Sequence, residues 1–278
     1  MRTYTSIRQK VSSLSDSLRK PDEPDAQAIV ALASLIKDAN RIVILTGAGI
    51  STESGIPDYR GPNGVWSTGK PPTIGDFMEN EESRRMYWQR RLESYPKLLE
   101  ALPNPAHRDL VDLERNGKLS GIVTQNIDGL HQRAGSNPDL VIELHGSAHI
   151  IRCTTCGRAY AGEEVQQWLR AGNVFPHCPV CGGILRTATV LFGEPLPRPA
   201  LDRSIELTRD ADLLLVVGSS LVVNPAAKLP LIAKRNGAPV VIVNRTETRQ
   251  DALADLRLEG SAGVILPAAI TSALSPNT

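Results

Sequence analysis

The stretch RIVILTGAGISTESGIPDYR, residues 41–60, decides how the rest of the chain is read. Ile42 to Leu45 is a short, continuously apolar run, the pattern of a strand covered on both faces. It feeds Gly47-Ala48-Gly49. A strand entering a Gly-rich turn lets the backbone approach a phosphate closely, because Gly has no Cβ to hold the ligand away. The turn departs from the dinucleotide fingerprint G-x-G-x-x-G, since Thr52 stands where the third Gly belongs. Beyond it, Ser51 and Ile56 lead to Asp58 and Arg60, an acid and a base two residues apart. Taken alone, the loop also reads as an ordinary strand-to-helix turn.

The same pattern recurs outward from this stretch. Short apolar runs at Gly121–Thr124, Val141–Leu144, Leu213–Val217 and Val240–Val243 read as strands. Helical spacing or helix stop signals mark 26–39, 81–102, 107–116, 201–209 and the segment after Pro225. Val264–Leu266 reads as a last short strand, and 271–278 as a frayed tail. Buried strands alternating with helices predict an α/β fold with a doubly wound, Rossmann-like parallel sheet. Ligands bind such sheets outside the carboxyl ends of the strands. Nearly every strand here ends in small or polar residues: Gly47-Ala48-Gly49, Gln125-Asn126-Ile127-Asp128, His145, Gly218-Ser219-Ser220 and Asn244. Five such endings converge on one crevice.

The 278 residues allow one large domain with an inserted module. The expected division is a helical extension over 1–25, a Rossmann-like domain over 26–149 and 191–270, and a metal-binding module over 150–190. A helical and loop insert is expected at about 61–118, with 271–278 as the tail. Lys and Arg (31) nearly balance Asp and Glu (30), a net charge of +1 that argues against non-specific nucleic-acid binding. No apolar run approaches the roughly 20 residues of a membrane span. The Ser-rich, basic N-terminus lacks the apolar core of a secretory signal. It reads as a short amphipathic helix in a cytoplasmic protein, with a transit peptide to the mitochondrial matrix as the alternative.

All four cysteines fall in two knuckles, Cys153-Thr154-Thr155-Cys156 and Cys178-Pro179-Val180-Cys181. Paired CxxC knuckles present four thiolates to one tetrahedral ion, and four sulfurs leave no open position for water, so the expected zinc is structural. His145, at the end of a strand aimed at the crevice, is the candidate general base. His107, His131 and His149 read as structural residues with satisfied side chains. Asp58, Arg60, Asn126 and Asp128 form a polar group suited to an amide headgroup, ribose hydroxyls or a phosphate. Tyr87 and Arg90 share one helix face.

On these residues the chain resembles the sirtuin family, the NAD-dependent protein lysine deacylases. The matching motifs are GAGIS (47–51), GIPDYR (55–60), TQNID (124–128), LHG (144–146), the paired CxxC, FGE (192–194), GSS (218–220) and Val243-Asn244. They occur in the family's order over about 40–267, and their details look most like the mitochondrial-type class II subgroup and its bacterial relatives. The resemblance implies a zinc-ribbon and helical module across a cleft from the NAD domain. It implies NAD contacts at Gly47, Ala48, Gly49, Ser51, Ile56, Asp58, Tyr59, Arg60 and Trp66, and at Gln125, Asn126, Ile127 and Asp128. On the adenosine side it implies Gly218, Ser219, Ser220, Asn244, Arg245 and Ala262.

The resemblance also implies chemistry. An acyl-lysine amide oxygen attacks the nicotinamide ribose of NAD, nicotinamide leaves, and His145 acts as general base on a ribose hydroxyl, with Asn126 and Asp128 beside it. The peptide would pair as a strand near Val190-Leu191-Phe192-Gly193-Glu194 and near Leu221-Val222-Val223. In relatives that remove acidic acyl groups a Tyr and an Arg three residues apart bind the acyl carboxylate, so Tyr87 and Arg90 imply a possible acidic or bulky acyl preference. The alternative enzyme is an NAD-dependent protein mono-ADP-ribosyltransferase using the same site. A monomer acting on acyl-lysine proteins, without nucleic acid or membrane, is expected.

Overall fold

The computed structural model describes residues 25–59, 64 and 73–275. The proposed N-terminal helix, Arg60 and Trp66 lie outside them. The chain begins with α1 (Ala26–Asp38) and β1 (Ile42–Thr46), followed by a 3-10 helix over Ala48–Ser54. Then come α2 (Ile74–Glu79), α3 (Glu81–Glu100), α4 (Pro105–Arg115), β2 (Leu119–Thr124), α5 (Leu130–Ala134) and β3 (Val141–Glu143). A second group comprises β4 (Gly146–Cys153), β5 (Ala159–Ala161), α6 (Gly162–Arg170) and β6 (Leu185–Thr189). The chain closes with α7 (Arg198–Asp210), β7 (Leu213–Val217), α8 (Leu229–Arg235), β8 (Val240–Asn244), β9 (Leu256–Glu259) and α9 (Ala262–Leu274).

Six strands form one parallel sheet in the order β3-β2-β1-β7-β8-β9. Successive strand residues point to opposite faces, which explains why β1 is apolar without interruption. Ile42 and Ile44 meet Leu110, Leu113, Ile265 and Leu266 from α4 and α9, and α1 adds Leu32 and Ile36. Val43 and Leu45 pack into the opposite layer, where α8 contributes Leu229 and Ala233. Each such side chain, fully buried, contributes about 1.5–3 kcal/mol relative to solvent exposure. The smaller unit is an antiparallel sheet, β5-β4-β6, whose core joins Ile151, Leu185, Val165 and Leu169 to Trp88 of α3.

Four sequence expectations shift. Val264–Leu266 is not a strand but the first turn of α9. Its apolar run is cut by Pro267, which usually ends a helix. The helix continues because Ile265, Leu266, Ala269, Ile270 and Ala273 share one buried face. The last strand is instead β9, a short edge strand whose alternation of Leu256 and Leu258 with Arg257 and Glu259 gives little apolar signal. Residues 271–274 belong to α9, and Ala273 is buried, so the tail is helical that far. The smaller unit starts at Gly146, where β4 begins, and takes Trp88 of α3 into its core. α4, placed within the insert by its sequence position, packs in the large core through Ala106, Leu110 and Leu113.

Candidate active site

The sheet order reverses between β1 and β7, and a cavity of about 640 Å³ opens at their carboxyl ends. Gly47-Ala48-Gly49 and Gly218-Ser219-Ser220 line it together. The glycines serve a purpose the sequence reading did not supply. A Cβ on Gly47 would lie 2.7 Å from the Gly218 carbonyl oxygen, and one on Gly49 would lie 2.7 Å from Gly218 Cα. Gly218 itself has φ +64 and faces the Ile50 amide. The β1 and β7 loops therefore cross in backbone contact, which side chains at these three positions would prevent.

Gln125 at the end of β2 ties the opposite loop down, its Nε2 donating to Ser219 Oγ at 2.8 Å. Asn126 is buried at the cavity wall and is oriented by two chains of hydrogen bonds. Its backbone N–H donates to Thr124 Oγ1 at 3.0 Å, and the Thr46 hydroxyl donates to the same oxygen at 2.8 Å. Its Nδ2 donates to Ser51 Oγ at 3.1 Å, and the Ser51 hydroxyl donates to Asp128 Oδ2 at 2.7 Å. Asp128 Oδ1 accepts the Leu130 N–H at 3.0 Å.

His145 lies 2.8 Å by its Nδ1 from the Gln125 carbonyl oxygen. A carbonyl oxygen only accepts, so Nδ1 carries the proton and Nε2 of the neutral ring carries the lone pair. This is the tautomer a general base on the Nε2 side requires.

The cavity also gathers Asp58, Tyr59, Ile127, Asn244, Arg245 and Ala262, as expected. Val190, Phe192, Gly193 and Glu194 form its far wall. Thr52, Thr189, Val223, Asn224, Thr246 and Gly260 line it too, and of these Thr189, Asn224 and Gly260 were not expected there. Thr246 and Gly260 follow β8 and β9, so recognising β9 as a strand would have pointed to Gly260 by the strand-end rule.

Other expected residues stand elsewhere. Ser51 and Asp128 are buried behind Asn126 and do not line the cavity. Ile56 and Val222 are half-buried outside its lining. Glu194 lines it, but its carboxylate is committed: Arg186 donates to both oxygens, at 2.6 and 2.7 Å, and the Leu191 N–H adds a third bond at 2.7 Å. It shapes the wall and does not reach out to a ligand. Tyr87 and Arg90 are absent from the lining. The Tyr87 hydroxyl bonds Thr187 and its ring meets Phe77 edge-on, while Arg90 is exposed on α3. Of the histidines read as satisfied, His107 Nε2 and His131 Nδ1 are buried without a hydrogen-bond partner among the described residues.

The Sir2 family model matches residues 47–225, from the Gly loop through the cysteine module to the start of α8's approach. The chain belongs to the Sir2 family. It is 42% identical over 241 residues to an NAD-dependent protein deacetylase of Rhodopseudomonas palustris, spanning 87% of this chain and 95% of that protein. It is 43% identical over 236 residues to NAD-dependent protein deacylase 2 of Archaeoglobus fulgidus, spanning 84% and 92%. A solved Sir2 complex with a p53 peptide and NAD+ superposes with a TM-score of 0.77 at 41% identity, covering 85% of this chain and 95% of that one. A structure of Sir2Af2 bound to a myristoylated histone peptide superposes with a TM-score of 0.73 at 37% identity, covering 89% and 96%.

The metal centre of this Sir2 chain is built by the two knuckles. The four Sγ atoms lie within 4.8 Å of one another. Cys153 and Cys181 are 3.5 Å apart and Cys156 and Cys178 are 3.8 Å apart. A tetrahedral zinc with metal–sulfur bonds of about 2.3 Å spaces its sulfurs by about 3.8 Å, so the residues fit. The Tyr160 hydroxyl, 3.0 Å from Cys178 Sγ, donates to that sulfur and lowers its thiol to about 6. Gly183 admits the cluster, since a Cβ there would lie 2.8 Å from Cys153 Sγ. The zinc joins two loops of the small sheet and is structural.

Proposed function

We infer that this chain is an NAD-dependent protein lysine deacylase. The observation that carries the assignment to His145 is its bond to the Gln125 carbonyl, 2.8 Å from Nδ1, which leaves the Nε2 lone pair as the base. NAD, when bound, supplies an activated ribose carbon that receives the acyl oxygen as nicotinamide leaves. His145 Nε2 takes the proton of a ribose hydroxyl. Asn126, oriented through Ser51 and Asp128, and Ile127 hold the nicotinamide end. Asp58 and Tyr59 line the cavity beside it. Gly47–Gly49 carry the phosphates, and Gly218–Ser220, Asn244, Arg245 and Ala262 carry the adenosine side.

The acyl-lysine peptide lies as an added strand between Val190–Glu194 and Leu221–Val223, reading backbone more than sequence. Complexes of Sir2 relatives with p53 and histone peptides support a peptide substrate. The apolar residues Val190, Leu191, Phe192, Leu196 and Val223 of this wall suit a neutral acyl chain, and Tyr87 and Arg90 are not among the lining residues. The test follows an acetyl-lysine peptide by mass with and without NAD, in wild type and in His145→Tyr. The expected result is loss of the acetyl mass that needs NAD and His145. Full activity in His145→Tyr would overturn the base assignment, and a mass gain of ADP-ribose on the peptide would replace deacylation with ADP-ribosyl transfer.

A further inference from the structure

Two consecutive carbonyls beside the catalytic residues are held from the small unit. β4 leaves its regular pairing between Ser147 and Ile151. Within that irregular stretch the Ala148 N–H donates to the Ile127 carbonyl at 3.0 Å. His149 Nε2 lies 2.8 Å from the Asp128 carbonyl. Nε2 must therefore carry the ring proton, and Nδ1 the lone pair. The Tyr95 hydroxyl, 3.2 Å from Nδ1, donates to it and holds that tautomer. His149 reaches its carbonyl over Gly129, where a Cβ would sit 3.2 Å from the ring.

Arg91, one turn before Tyr95 on α3, backs the same stretch. Its guanidinium is buried and donates to the Ala148 carbonyl at 3.1 Å and the Gly162 carbonyl at 3.3 Å. It lies 3.8 Å from the centroid of the Tyr95 ring. The convergence needs Gly162, where a Cβ would come within 2.4 Å of the Tyr95 hydroxyl oxygen and 2.8 Å of Arg91 Nη2. The bonds run without a gap from α3, through residues 148 and 149, to the carbonyls of residues 127 and 128. From there the Asp128 side chain continues to Ser51 and Asn126.

We propose that Arg91, Tyr95 and His149 are positioning residues that set the Ile127–Asp128 backbone, so that the seating of the small unit is read at the nicotinamide end of the crevice. This rests on the assignment made above of Asn126 and Ile127 to nicotinamide, with Asp128 holding Asn126 through Ser51. Loss of one relay bond then weakens NAD and nicotinamide binding together and spares the peptide, which lies against other segments.

The experiment is steady-state kinetics of the full chain with NAD, an acetyl-lysine peptide and a nicotinamide titration. The variants are Tyr95→Phe, His149→Leu, His149→Gln and Asp128→Asn, each with its Tm. Tyr95→Phe keeps the ring over Arg91 and removes only the donor. Tyr95→Phe and His149→Leu are expected to raise KM for NAD and the half-inhibiting nicotinamide concentration by about two- to tenfold, the worth of one net hydrogen bond. Peptide KM stays unchanged, and His149→Gln, which keeps an N–H donor, recovers most of the loss. If Asp128→Asn leaves nicotinamide inhibition as it was, the underlying site assignment fails and the proposal falls with it. If Asp128→Asn shifts inhibition while Tyr95→Phe alters only Tm, or alters peptide KM equally, the relay alone is overturned.

Discussion

Acid should weaken this fold through two histidines beneath the active site. His107 and His131 are buried, with ring centroids 5.0 Å apart. His107 Nδ1 faces Asn104 Oδ1 at 3.0 Å, and His131 Nε2 faces Thr46 Oγ1 at 3.0 Å. Burial lowers His107 to about 4, with the Arg108 charge adding to it against Asp128 and Glu53. Burial, then repulsion from His107, lowers His131 to about 3. In the unfolded chain both titrate near 6.5. A histidine with a depressed folded pKa binds its proton only when unfolded, so its stabilisation is present above about 6.5 and is lost as pH falls toward the folded value.

Between pH 7 and pH 5 each ring costs about 2 kcal/mol by this linkage, roughly 4 kcal/mol for the pair. At this chain length that lowers Tm by about 8–15 °C. The assay is thermal unfolding followed by circular dichroism from pH 8 to pH 5, in wild type, His131→Gln and His107→Gln. Each variant has its own absolute Tm, and the informative quantity is the slope. Below pH 6.5 each substitution should flatten the dependence by about 1.4 kcal/mol per pH unit. The raised carboxyls of Glu143 and Asp109, pushed up mainly by burial, titrate in the opposite sense but are common to all three proteins and cancel in the difference. Slopes that stay parallel in all three proteins would refute the reasoning.

Three further outcomes follow from the geometry. Glu194→Gln breaks the forked pair with Arg186 and loosens the Leu191–Glu194 wall, so peptide KM should rise about tenfold while KM for NAD holds, as steady-state kinetics would show. Arg90→Met should leave the ratio of succinyl- to acetyl-lysine turnover as in wild type, because Arg90 is exposed and off the crevice; a selective fall in succinyl turnover would restore the acidic-acyl reading. Stripping zinc with a strong chelator should melt the small unit, seen as loss of structured Trp88 emission and of turnover together, with recovery on zinc addition.

How much of this was legible beforehand depended on the range of the interaction. Strand ends were readable because a strand-end rule places residues from distant parts of the chain in one crevice without knowing side-chain directions. The same rule could not say that Asp128 turns behind Asn126 to hold Ser51, two residues from a neighbour that faces the cavity. Tyr87 and Arg90 had the right spacing for one helix face, but the Tyr87 hydroxyl found Thr187, a hundred residues away in sequence. β9 was invisible because an edge strand buries only one side chain well, and α9 was misread because Pro267 broke a pattern that tertiary packing kept.

By itself the sequence determined the alternation of apolar strands and helices, the two CxxC knuckles and the polar strand endings. All are local, set by side-chain period, by ligand spacing and by what a backbone turn allows. Only the tertiary structure decided why Gly47, Gly49 and Gly218 must be glycines, which carboxylates are already spent and how His149 reaches a carbonyl of the catalytic loop. Those are contacts between segments far apart in the chain. Their existence depends on distances of a few tenths of an ångström, which no spacing along a sequence records.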